Sequence, residues 1–155
     1  MAQLKEGTKA PAFSLLDQSG IKHSLKDYVG KWLLIYFYPK DSTPGCTIEA
    51  CAIRDSFDNF KKSKITVLGV SIDSIASHEK FAKKFKLPFP LLADTDKKMV
   101  EAYGVWGEKK FMGRKYMGIS RMSFLINPKG KIAKIYSEVK PKDHAGQVLS
   151  DHKSI

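Results

Sequence analysis

The sequence predicts an α/β fold, a mixed central β-sheet flanked by helices, and three features predict it. Two nearly unbroken apolar runs, 32–39 (WLLIYFYP) and 65–72 (ITVLGVSI), suit strands covered on both faces. A helical stretch follows each run, and strands alternating with helices fill such a sheet. Turn signals at Ser19-Gly20 and at Asn127-Pro128-Lys129-Gly130 add an N-terminal β-hairpin and a late one.

The elements follow in order. Residues 12–25 are two short apolar stretches around Ser19-Gly20, the first hairpin. The 32–39 run is closed by Pro39. Thr43-Pro44-Gly45 then opens a helix, because threonine is a competent N-cap and proline suits the first helical position. From Cys46 to Phe60 the residues Ile48, Cys51, Ala52, Phe57 and Phe60 recur at roughly helical spacing, which predicts one helix over that span. Residues 65–72 are the second strand. Residues 77–87 form an amphipathic helix, with Phe81 and Phe85 four apart and lysines opposite, stopped by Pro88. A shorter strand is expected over 89–94 and a short helix over 97–105, ended near Gly104. Gly113–Gly118 reads as a loop, 121–139 as the late hairpin, and 144–152 as a last helix. No linker or repeat interrupts the chain, so one domain over 1–155 is expected.

Composition narrows the class. Of the 155 residues 43% are hydrophobic, enough to exclude intrinsic disorder, and two cysteines exclude a disulfide scaffold. The longest uncharged apolar run, Trp32 to Pro39, falls far short of the roughly 20 residues of a spanning helix, so no membrane association is expected. The N-terminal stretch MAQLKEGTKAPAF has no apolar core of secretory length, and the chain reads as unprocessed and cytoplasmic. Net charge is +11, and much of it sits between residues 108 and 134, where Lys109, Lys110, Arg114, Lys115, Arg121, Lys129, Lys131 and Lys134 face only Glu108. Such a patch suits an acidic partner or simple solubility. The interleaved aromatic and basic motifs of common nucleic-acid modules are missing, so no nucleic acid is expected.

Cys46 and Cys51 are the chain's two cysteines. A structural disulfide is out of place in a reducing compartment. The four histidines, His23, His78, His144 and His152, are scattered without ligand spacing, so no metal is expected. Two buried, inert thiols remain one reading. The position of Cys46 favours another. It falls in the first turn of the expected helix, where free N–H groups and the positive end of the dipole stabilise a thiolate, the nucleophilic form. In an ideal helix the Cα atoms of residues five apart are separated by about 8.7 Å, beyond the roughly 7 Å a disulfide tolerates. Bonding between these two cysteines therefore requires the first helical turn to unwind.

Tyr38-Pro39-Lys40-Asp41-Ser42-Thr43-Pro44-Gly45-Cys46 resembles the active-site loop of the peroxiredoxins, Pro-x-x-x-Thr/Ser-x-x-Cys. The continuation to Cys51 and Arg54-Asp55 is similar to the bacterioferritin comigratory protein or PrxQ subgroup, which carries a second cysteine five residues on. Further matches are Lys86-Leu87-Pro88-Phe89-Pro90-Leu91-Leu92-Ala93-Asp94, Tyr103-Gly104-Val105-Trp106-Gly107 and Gly113 to Arg121, so that the likeness spans about residues 4–149. It implies a thioredoxin-like fold and a thiol peroxidase without cofactor, acting on hydrogen peroxide and organic hydroperoxides. By the same resemblance Cys46 is the peroxidatic cysteine and Cys51 the resolving one. Thr43 directs its hydroxyl at thiolate and peroxide, and Pro39 and Gly45 line the substrate site. Arg121 is the arginine that binds the departing oxygen, preferred over Arg114 because it directly precedes a strand. Glu49 reads as a solvated helix charge. Thioredoxin or a similar dithiol donor is the implied reductant, and a second cysteine in the same chain removes any need for a dimer, so a monomer is expected. A redox sensor or holdase with negligible turnover, using the same cysteines, is the competing reading.

Overall fold

The computed structural model describes residues 4–155; Met1 to Gln3, the start of the expected domain span, lie outside the described residues. Among the described residues nine strands and five α-helices, with a short 3-10 helix over Leu25–Tyr28, succeed one another as β1 (Ser14–Leu16), β2 (Lys22–Ser24), β3 (Trp32–Phe37), α1 (Pro44–Asp55), α2 (Phe57–Lys62), β4 (Ile65–Ser71), α3 (Ile75–Phe85), β5 (Leu91–Ala93), α4 (Lys98–Ala102), β6 (Trp106–Phe111), β7 (Arg114–Ile119), β8 (Met122–Ile126), β9 (Ile132–Tyr136) and α5 (His144–Lys153). The central sheet has the order β5-β4-β3-β8-β9. β3, β4 and β5 run parallel, and β8 and β9 are antiparallel, which makes the sheet mixed.

The continuous apolar run of β3 supplies both faces of the sheet by simple alternation. Leu34, Tyr36 and Tyr38 enter one core with Cys46, Ala50 and Ile53 of α1, Phe60 of α2, Phe81 of α3 and Val148 of α5. Leu33, Ile35 and Phe37 enter a second core with Met99 and Val100 of α4 and with Phe13 ahead of β1. The larger helices thus cover one face, and α4 with the N-terminal segment covers the other.

Three local expectations are corrected. The helix over 46–60 is two helices. It breaks at Ser56, whose N–H bonds back to Ala52 and Ile53 carbonyls in a tightened last turn, so that Phe57 and Phe60 belong to α2. α3 ends before Pro88, because Lys86 turns into the left-handed region with φ of 52°. The supposed loop at Gly113–Gly118 is β7, paired with β6 in a two-stranded hairpin apart from the main sheet. Its polar, lysine-rich strands lack the apolar run that marks a buried strand.

Candidate active site

The site lies where β3 ends and α1 begins. Val70 accepts the last ladder bond from the Tyr38 N–H, and Pro39 follows half-buried with no N–H to continue the ladder. Ser42 takes φ of 63°, uncommon for a residue with a side chain, and turns the loop into α1. Thr43 is the N-cap by its backbone, its carbonyl accepting from the Thr47 N–H at 2.9 Å. Its hydroxyl does not cap the helix; it donates to the Lys40 carbonyl at 2.8 Å. Gly45 and Cys46 sit ahead of the first intrahelical bond, where backbone N–H groups lack helical partners.

Cys46 is 1% exposed, within the core formed by β3 and α1. The Arg121 guanidinium reaches it, with Nη2 3.4 Å from Sγ. Sheet register explains the meeting. Met122, the first residue of β8, pairs with Phe37, the last of β3, so the preceding Arg121 stands beside the loop leaving β3. Gly45 gives it room: a Cβ there would stand 2.9 Å from Nη2 of Arg121. Arg114, the rival, is exposed on β7, paired across the strands with Phe111. Cys51 is half-buried further along the intact α1, and neither thiol is in a disulfide.

Glu49 departs most from its sequence reading as a surface charge. It is fully buried, and Oε1 accepts from Nη1 of Arg121 at 2.7 Å while Oε2 has no partner among the described residues. Burial pushes its pKa up to about 7, against the pull of Arg121. Burial also opposes the charge of Arg121, but Cys46 and Glu49 together outweigh it and raise its pKa. The spacing of three on one helix was the available sequence signal for Glu49 beside Cys46. Lys109 was missed with its strand. From β6 it donates to the Ile119 carbonyl at 2.9 Å, and burial followed by the Arg121 charge lowers its pKa.

A second network holds the loop from behind. The Asp41 carboxylate accepts from Tyr38 Oη at 2.6 Å and from Ser77 Oγ at 2.8 Å, and its Oδ2 lies 2.7 Å from His78 Nδ1. His78 Nε2 faces the Leu92 carbonyl at 2.9 Å. A carbonyl only accepts, so Nε2 donates, and the ring is held between the Leu92 carbonyl and the Asp41 carboxylate. The Asp41 N–H donates to Asp73 Oδ2, which also accepts from Ser71 Oγ. Asp41, Asp73 and His78 are the group among the described residues whose donor atoms converge as metal ligands would, and those atoms are spent on one another and on their neighbours. No residue pair so distant in sequence announces itself by spacing.

A family model described as AhpC/TSA matches residues 7–135. The chain belongs to the AhpC/TSA family. It is 48% identical over 150 residues to Peroxiredoxin Bcp of Escherichia coli (strain K12), covering 97% of this chain and 96% of that one. With Peroxiredoxin Bcp of Bacillus subtilis (strain 168) identity is 46% over 149 residues, covering 96% and 95%. Among solved structures, a cysteine-to-serine mutant of Xylella fastidiosa PrxQ superposes with a TM-score of 0.93 at 34% identity, covering 99% and 98% of the two chains. The Xanthomonas campestris bacterioferritin comigratory protein, described through its alkyl peroxide reduction activity, gives 0.89 at 37% identity, covering 97% and 98%. The chain is thus a peroxiredoxin of the Bcp/PrxQ group, a thiol peroxidase, and its fold is the thioredoxin-like one expected.

Proposed function

We propose that this peroxiredoxin reduces hydrogen peroxide and organic hydroperoxides through Cys46, using Cys51 to close the cycle within one chain. The observation that carries the reading is the Arg121 guanidinium, held 2.7 Å from the buried Glu49 and 3.4 Å from the buried Cys46 sulfur. A fixed cation there favours the thiolate and stabilises the charge that spreads over the sulfur and both peroxide oxygens as the bond breaks. The thiolate attacks one oxygen, the O–O bond breaks, and the departing oxygen takes a proton to leave as water or alcohol, with Cys46 left as a sulfenic acid. Thr43 Oγ1, its hydrogen given to the Lys40 carbonyl, accepts from the peroxide O–H, the Gly45 and Cys46 N–H groups line its site, and Pro39 shields the sulfur from water.

The Cys51 thiol then condenses with the sulfenic acid, releasing water and forming an intramolecular disulfide. Thioredoxin or a similar dithiol reduces that bond by exchange and leaves both cysteines as thiols. A single domain spanning residues 1–155, acting as a monomer in the cytoplasm, completes the proposal. No helix among the described residues is long and apolar enough to cross a membrane. The test is peptide mass mapping after one equivalent of hydroperoxide, followed by NADPH consumption with thioredoxin and its reductase. A Cys46–Cys51 bond and sustained turnover are expected. A single oxidation without turnover points instead to a redox sensor.

A further inference from the structure

The β6–β7 hairpin stands apart from the central sheet, and the basic segment singled out in the sequence runs through it. Phe111, Met112, Tyr116 and Met117 are 65%, 89%, 46% and 55% exposed. They make up four of the nine exposed large hydrophobics among the described residues, all between positions 111 and 117. Contiguous exposed apolar side chains of this kind mark interaction sites. Residues paired across an antiparallel hairpin share a face, so the pairs Lys109–Tyr116 and Phe111–Arg114 put two aromatics and two cations on one side. Lys109 and Tyr116 close over Gly118, where a Cβ would stand 3.2 and 3.1 Å from their side chains. Lys109 Nζ donates to the Ile119 carbonyl at 2.9 Å, two residues ahead of Arg121, which ties this face to the segment that meets Cys46. Lys110 and Lys115 extend the positive field on the other face, where Glu108 is the hairpin's acidic residue.

We infer that the face of the hairpin carrying Phe111, Arg114 and Tyr116 is the docking surface for a protein dithiol reductant whose contact surface is apolar and rimmed by carboxylates. This rests on the proposed catalytic cycle. The occupant follows from charge and from that tie: the wall offers aromatic area ringed by cations, joined through Lys109 and Ile119 to the segment whose Arg121 meets Cys46. Aromatic and arginine side chains are the ones that carry most binding energy in protein contacts, while the surrounding lysines chiefly speed encounter.

The experiment compares the native protein with a Phe111→Ser/Arg114→Glu double variant at saturating hydroperoxide, with thioredoxin as the protein reductant and dithiothreitol as the small one. The expected result is a KM for thioredoxin raised at least about tenfold in the variant, with Cys46 oxidation by hydroperoxide and dithiothreitol-supported turnover unchanged. The native KM for thioredoxin should also rise with salt, more steeply than that of the variant. Equal KM values overturn the docking surface, as does native turnover with dithiothreitol but none with thioredoxin. Loss of anionic vesicle or RNA binding in the variant, with thioredoxin KM unmoved, overturns it in favour of those partners. Absence of turnover of the native protein with either reductant instead sinks the peroxidase cycle on which the inference rests.

Discussion

Arg121 is shared between a sulfur and a carboxylate, and that sharing sets the expectations for single residues. Cys46→Ser abolishes hydroperoxide reduction while far-ultraviolet circular dichroism stays native, because Cys46 is the thiol that Arg121 touches; near-native turnover in that variant would transfer the role to Cys51. Arg121→Ala slows the second-order reaction with hydroperoxide at least about tenfold, about 1.4 kcal/mol of barrier, read by stopped-flow. Glu49 gives a pH signature. Its pKa rises from 4.5 in the open chain to about 7 in the fold, so the folded state holds its proton more tightly. Below pH 4.5 both states are protonated; as pH rises through the window to about 7, the open chain gives up the proton while the fold still holds it, and the fold loses stability until both are ionised. Denaturant titrations of Glu49→Gln should therefore shift in the variant's favour, relative to the parent, by up to about 3 kcal/mol between pH 4.5 and 8.

At the scale of the element, α1 serves two states that cannot coexist. Continuous helix from Pro44 to Asp55 gives Cys46 its place at the N-terminus, and the same regularity keeps Cys51 out of reach. Opening should be moderate in cost. Gly45 is a poor helix former, and the Pro44 ring supplies no N–H that the helix would lose. Hydrogen exchange over residues 43–55 should be faster in the disulfide form than in the reduced form; equal protection with the bond confirmed by mass would end the unwinding mechanism. Cys51→Ser should complete its first turnover and then accumulate sulfenic acid, proceeding to sulfinic acid under excess peroxide, as mass spectrometry will show.

Across the whole molecule, the active-site loop is held between two bodies. Arg121 reaches it from just ahead of β8 and His78 from α3, through a wholly buried histidine and an Asp41 carboxylate that is 3% exposed. Removing one partner of a buried pair leaves the other charge without compensation. His78→Asn should cost about 3 kcal/mol, lowering Tm by about 6–12 °C in calorimetry for a chain of this size. An unchanged Tm would mean that Asp41 is held adequately by Tyr38 and Ser77 alone.

The sequence by itself determined the strands of the central sheet and the place of Cys46 at a helix start, because both are local. Alternation within Trp32–Phe37 supplies two cores without reference to anything distant, and Thr43-Pro44-Gly45 starts a helix by its own chemistry. The resemblance carried by the same loop added Arg121, which no spacing could supply. Only the tertiary structure decided what Glu49 faces, since a helix pattern tells which residues share a side and not which side is dry. It alone paired Asp41 with His78, 37 residues apart, and turned Gly113–Gly118 into a strand. That hairpin gains its order from pairing between its two strands and buries little, so it leaves scant hydrophobic pattern in the sequence; the pairing energy belongs to the fold.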